Sequence, residues 1–313
     1  MANVIQSANT TIRFGESIAC TNDGAQIVIG APRANLTINA QNYTKVGRVD
    51  VYDRSIQNFV ANGIQSVFTT LDSIKSISKV SINNTRANSN SYTISTNSLT
   101  FIPNSIPAAG SIVTVETNTF KKIQTLIPDD AVNFSNANLQ FGHSVDICGY
   151  NCSIYVGAPN YSVDISKPYI GAVYSYLNQG RLYGTISSAA NVSVVSGQSL
   201  RLNDYAVIFG GSNISAIVAN VNSAAIPGIS AANVANSLVI LSNAEIATNK
   251  LRVLPGLGTV IQDLDLEVFK QTQKILNPDL KPYDYFGSRV KVSSADASVV
   301  GIGSEDATAY RSE

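Results

Sequence analysis

The sequence predicts a mainly β protein, built from repeated strand units into which two unrelated modules are inserted. Three observations carry this expectation. Three segments align in register on a Phe-Gly start. The starts lie about 127 and about 145 residues apart, whereas one repeat of this kind needs roughly 40–50. The long intervening stretches carry hydrophobic patterns of their own.

The first copy runs Phe14-Gly15-Glu16-Ser17-Ile18-Ala19 and, after a polar turn, Ile27-Val28-Ile29-Gly30-Ala31-Pro32. The second runs Phe141-Gly142-His143-Ser144-Val145-Asp146, then Ile154-Tyr155-Val156-Gly157-Ala158-Pro159 at the same spacing. The third runs Phe286-Gly287-Ser288-Arg289-Val290-Lys291, then Val299-Val300-Gly301. Each is a strand, a turn and a second strand. Copies one and two continue into a period-2 strand opened by glycine, Gly47-Arg48-Val49-Asp50-Val51-Tyr52 and Gly171-Ala172-Val173-Tyr174-Ser175-Tyr176. A further matching strand precedes copies two and three, at Phe120 to Gln124 and Phe269 to Gln273. Four short strands per repeat is the content of a propeller blade.

Phe-Gly, a strand pair ending Gly-Ala-Pro, and then Gly-x-Val-x-Val-Tyr together resemble the FG-GAP repeat of integrin α-chain propellers and of bacterial and phage surface proteins. The resemblance covers about half of the chain. It implies FG-GAP β-propeller-type blades in an incomplete ring, with Phe14, Gly15, Gly30, Pro32, Phe141, Gly142, Gly157, Pro159, Phe286 and Gly287 as the structural repeat positions. Physical chemistry agrees with those roles. A ring followed by glycine fills the space between neighbours while the chain turns tightly beside it, and proline ends an inner strand because it cannot donate to the ladder. The third copy departs from the pattern, with Gly301-Ile302-Gly303 in place of Gly-Ala-Pro.

These landmarks divide the chain into five expected segments: a first repeat over 1–60, an all-β module over 61–119, a second repeat over 120–179, an α+β module over 180–268, and an incomplete third repeat over 269–313. In the first insert Lys79 to Ile82, Tyr92 to Ile94, Leu99 to Phe101 and Ile112 to Val115 alternate with period 2 between Asn- and Gly-rich turns. This run is similar to small repeat domains of bacteriophage tail-fibre proteins. In the second insert a strand at Tyr205 to Phe209 leads through Gly210-Gly211 to a helix capped by Ser212 or Asn213, with Ile214, Ile217, Val218 and Val221 on one face. Pro227-Gly228 stops it, and strands follow at Leu238 to Leu241 and Leu251 to Leu254. That module resembles ones found in phage virion and flagellin-type proteins.

Composition narrows the function classes. With 21 basic and 21 acidic residues the formal net charge is zero, which offers no electrostatic footprint for nucleic acid or an anionic membrane. No stretch of about 18 apolar residues occurs, and Met1 to Thr11 lacks the basic and apolar regions of a secretion signal. Three cysteines, Cys20, Cys148 and Cys152, are an odd number, so no disulfide framework is expected and the thiols read as free. The lone histidine, His143, sits at the repeat position that holds Glu16 and Ser288 elsewhere, and the residues assemble no catalytic constellation. The chain is therefore expected not to be an enzyme and to need no cofactor. FG-GAP turns often carry calcium, but the equivalent turns here lack three carboxylates, leaving Asp23 as the single weak calcium candidate.

The resulting expectation is a structural and adhesion component of a virion, in a bacteriophage tail, baseplate or neck, contacting other virion proteins or further repeats within an oligomeric assembly. The alternative is a cell-surface or extracellular adhesion protein whose integrin-like propeller binds protein or glycan. Known propellers close with about four to eight blades, so two complete repeats and part of a third are expected to close only through further repeats or partner chains.

Overall fold

The computed structural model describes residues 5, 10–38, 40–71, 77–133, 138–149, 153–164, 166–178, 181–184, 196–211, 213–234, 237–242, 251–264, 266, 268–279, 281–293 and 299–305. The protein is mainly β. The chain divides into two compact units. A repeat unit comprises Val4–Tyr52, Gln124–Gln179 and Phe269–Glu313, and an insert unit comprises Met1–Asn3, Asp53–Ile123 and Gly180–Val268. The physical reason is strand continuity. Ile112–Leu126 is a single long strand that runs through the expected boundary at 119, and Arg48–Val60 runs unbroken up to the one at 60, because no glycine or proline interrupts either.

In the repeat unit, the second repeat forms a four-stranded antiparallel sheet in the order Ser144–Ile147, Ser153–Ala158, Ala172–Leu177, Lys270–Leu276. Val145, Ile147, Ile154, Val156, Val173 and Tyr174 are buried, which is what their alternation and β-branching favour. The first repeat has the same order, Ile18–Cys20, Gln26–Ala31, Arg48–Val60, Ile112–Leu126. This corrects one reading of the sequence. The strands at Phe120 to Gln124 and Phe269 to Gln273 do not open the following repeats; each supplies the fourth strand of the repeat before it. Each insert is thus spliced between a third strand and its fourth.

The third repeat contributes a hairpin, Arg289–Val292 with Val300–Gly303. Its register brings a second correction. Gly15 and Gly142 donate their N–H groups to the carbonyls of Gly30 and Gly157, and Gly287 does the same to Gly303, at 2.9, 3.0 and 3.0 Å. Gly303, not Gly301, therefore stands where the other copies have the glycine of Gly-Ala-Pro, and Ser304-Glu305 follows in place of Ala-Pro. The misreading arose because the third hairpin turn, one residue longer than the others, was counted from the wrong glycine.

The insert unit carries a sheet in which Val253–Pro255, Ser199–Leu202, Tyr205–Ile208, the long strands, Ile77–Ile82 and Thr85–Arg86 follow one another. Strands of both inserts thus join one sheet. A second small sheet, Val67–Thr69, Ser98–Phe101 and Tyr92–Ile94, closes over a core of Phe68, Leu99, Phe101, Val80, Val113 and Val115. The rings of Phe59, Phe68 and Phe101 meet edge to face, at 5.5 and 5.8 Å between centroids. The helix is Ile214–Ser223, capped by Asn213, whose side chain accepts from Ala216 N at 2.8 Å, with Ile214, Ile217 and Val221 buried. It packs on Ile229–Val234, next to Ser237–Ser242 and Arg181–Gly184. Ser212 and Cys152 lie outside the described residues. No helix among the described residues is long and apolar enough to cross a membrane.

Candidate functional site

The repeats meet through a junction that is built twice from the same parts. At the first, Phe141 is fully buried, its N–H donates to Val46 O at 2.9 Å, and it bridges Gly47 in parallel. At the second, Phe286 donates to Ile170 O at 3.1 Å and bridges Gly171. The next glycine in each case, Gly142 at φ 89° and Gly287 at φ 88°, turns the chain so that its carbonyl enters the preceding repeat. There the Ser17 hydroxyl donates to Gly142 O, and the Ser144 hydroxyl to Gly287 O, both at 2.8 Å. A Cβ on Gly30 or Gly157 would run into those same carbonyls and hydroxyls. The Phe-Gly of one repeat and the Gly-Ala of the previous one are therefore the two halves of a single contact. Pro32 and Pro159, both buried, immediately follow the strands that end at Ala31 and Ala158. They occupy the second position of turns closed by Ala34 N to Ala31 O and Tyr161 N to Ala158 O.

Charged groups reinforce the second junction. The buried Asp146 carboxylate accepts from Val292 N at 2.8 Å and lies 3.2 Å from Lys291 Nζ. Against the paired strands Ala172–Leu177 and Lys270–Leu276, Asp130 accepts from Tyr174 Oη at 3.1 Å and Lys274 Nζ at 2.8 Å. Burial, with the Asp130 charge adding to it, pushes the Tyr174 phenol far above its ordinary value.

The first strands of the three repeats line an open groove of about 720 Å³. Glu16, Arg289 and Lys291 bring charge to it, His143 brings a polar ring, and Ile18, 63% exposed, brings an apolar surface. His143 Nδ1 is 3.2 Å from Glu16 Oε1 without hydrogen-bond geometry, while Arg13 Nη1 donates to both Glu16 oxygens at 3.3 Å. Ser144, beside His143, has its hydroxyl proton committed to Gly287 O. The groove presents mixed charge around a small apolar centre.

Phe14 packs with Ile12, Ala31 and Ala34, and Gly15 is exposed, with nothing within 4 Å of a built Cβ. Asp23 uses its carboxylate inside its own turn, accepting from the Thr21 hydroxyl at 2.5 Å and Ala25 N at 2.9 Å. Among the described residues no three His, Cys, Asp or Glu side chains come together to hold a metal. Cys148 is free and buried, and Cys20 is free and exposed.

Two clusters escaped the sequence reading. In the insert unit, fully buried Arg201 donates to Ser55 Oγ and to Ile56 O, and Arg252 pairs with Asp53 at 2.7 Å and Asp204 at 3.0 Å. Burial outweighs the pull of Arg252 and raises the Asp204 carboxyl to about 6. The available signal was an arginine, Arg201, within the wholly buried strand Ser199–Leu202, which reads as an error unless a carboxylate or carbonyl waits for it. In the repeat unit, Tyr169, Tyr283 and Tyr285 gather at the second junction. Tyr169 lies more than a hundred residues from the other two in sequence, so only the docking of the repeats reveals the cluster. Compared with known proteins, the chain matches no protein-family model and no curated protein sequence.

Proposed function

We propose that the chain is a structural and adhesion component of a virion, in a phage tail, baseplate or neck, whose FG-GAP-type blades join end to end by docking Phe-Gly into the preceding Gly-Ala. The observation that carries the reading is the duplicated junction, in which a backbone carbonyl enters a notch that exists only because Gly30 and Gly157 lack side chains. Such a contact is generic and can be repeated by any chain that presents the same element. Gly303 occupies the same register, and the nearest atoms to a Cβ there belong to its own Arg289. On this reading, a Phe-Gly element of another chain in the assembly seats there. The inserted modules, zero net charge and resemblance of the inserts to phage modules support the virion setting.

Sedimentation and negative-stain imaging over a range of concentrations test it. The wild-type chain is expected to self-associate, and Gly303→Leu, which fills the notch, is expected to shift it to monomer without lowering its melting temperature. A monodisperse monomer, unchanged by the substitution, overturns the reading.

A further inference from the structure

The second junction carries a feature that the first lacks. Tyr169 and Tyr285 lie nearly parallel, at 9° with centroids 5.8 Å apart, and Tyr283 sits 5.8 Å from Tyr169 at 52°. Tyr169 is 37% exposed and Tyr283 47%. All three occupy left-handed backbone, at φ 53°, 64° and 52° for Tyr169, Tyr283 and Tyr285, where a bulky side chain is a rare outlier.

The first junction supplies an internal control. The residue two before its glycine is Lys45 at φ 52°, and the residue before its phenylalanine is Gln140 at φ 57°. Those are the positions of Tyr169 and Tyr285. The repeat therefore requires left-handed backbone at both places, and it forms with lysine and glutamine there. Tyrosine is not what the fold demands. Three aromatic rings placed side by side, where polar residues serve the same backbone, point to a purpose outside the fold.

Geometry narrows that purpose. Tyr283 N donates to Pro168 O, Tyr285 N to Tyr169 O, and Tyr169 N to Ser162 Oγ, each at 2.9 Å, so the rings stand on a fixed backbone. A preorganised tyrosine surface binds with little ordering cost. Parallel rings 5.8 Å apart leave no slot for a third ring, which needs about twice the 3.5–4.0 Å contact distance. A ligand must therefore lie against one outer face of the stack. The phenol hydroxyls themselves supply donors and acceptors beside the rings, whereas Ser166 and Asp164, in the loop leading to Tyr169, bond each other. A pyranose ring matches this layout, with an apolar C–H face for the phenols and a rim of hydroxyls for the polar groups. We infer that Tyr169, Tyr283 and Tyr285 form a carbohydrate-binding platform for a neutral glycan chain. The inference stands independently of the assembly reading, since it uses one junction within one chain.

The test is a glycan array carrying neutral and acidic oligosaccharides, with immobilised decaproline alongside, probed with the full chain and with the double variant Tyr169→Lys/Tyr285→Gln. The variant writes the residues of the first junction into the second, so it is expected to melt with the wild type. Tyr283→Ala provides a second, more exposed probe. The platform predicts that wild type binds at least one class of neutral oligosaccharide, and that both variants bind it at least tenfold more weakly. Binding to no glycan, equal binding by the variants, or preference for decaproline overturns it.

Discussion

Gly157 yields its side-chain volume to the carbonyl of Gly287 and the hydroxyl of Ser144, and Gly30 does the same for Gly142 and Ser17. A methyl group at either site must displace backbone. Gly157→Ala is expected to cost about 1–3 kcal/mol, read as a lower denaturant midpoint. Gly301→Ala is expected to stay within about 0.5 kcal/mol of wild type, since a Cβ there meets Lys291 O at an ordinary 3.7 Å. A severe loss at Gly301 would show that the register of the third repeat is wrong. In the insert unit, Asp204 makes a different kind of prediction. Its folded value of about 6 lies above the ordinary aspartate value of 3.8, so the folded protein holds that proton more tightly than the unfolded chain. The stability linked to it is fully present below about pH 4 and is lost as pH rises through 6, a swing on the order of 3 kcal/mol. Asp204→Asn keeps a neutral side chain at all pH values, while Arg252 retains Asp53 at 2.7 Å. The variant should match or exceed wild type in urea unfolding at pH 7.5 and lose that advantage by pH 4. Destabilisation at pH 7.5 by more than about 1 kcal/mol would count against the buried, proton-holding carboxyl.

The elements differ in what anchors them. The hairpin of the third repeat is held to the second by Ser144 and by Asp146, which reaches Val292 N. Asp146→Ala removes a buried acceptor, and is expected to cost about 1–3 kcal/mol locally. In hydrogen exchange, amides of Arg289–Val292 and Val300–Gly303 should lose protection before those of Ser153–Ala158 and Ala172–Leu177; simultaneous loss would mean that the hairpin is not a separable element. Much at this scale was legible beforehand. Period-2 alternation located Tyr92–Ile94 to the residue, and the Asn213 cap with its i, i+3, i+7 stripe located the helix. The fourth strands were seen, but their ownership was not, because adjacency in sequence suggested the following repeat while pairing assigns them to the preceding one. Nothing local distinguishes those two partners. The Arg201 and tyrosine clusters were invisible for the same reason, since their members meet only after distant strands pair.

For the molecule as a whole, strands of both inserts pair with the long strands Arg48–Val60 and Ile112–Leu126, while the sheet of the second repeat holds repeat strands alone, and the repeat segments gather into a unit of their own. Replacing residues 54–122 and 181–267 by short turns is therefore expected to leave a cooperatively melting β protein. Removing the first insert alone should do more harm to the insert unit, because Ile77–Ile82 and Ser199–Leu202 belong to one sheet. Circular dichroism melts of the two deletions distinguish these outcomes, and an unfolded double deletion would refute the division. The splice point also sets a timetable for synthesis. Leu177 ends a third strand whose partner begins only at Lys270, after an entire inserted segment has been made. At a ribosomal rate of roughly 5–20 residues per second, the open edge of Ala172–Leu177 waits on the order of 5–20 s for its neighbour. During that interval the nascent chain exposes an unpaired, apolar strand edge, the feature most prone to pairing with the wrong chain. A polysome translating this message thus holds many such edges close together, and the yield of native protein depends on how quickly ribosomes cross the second insert.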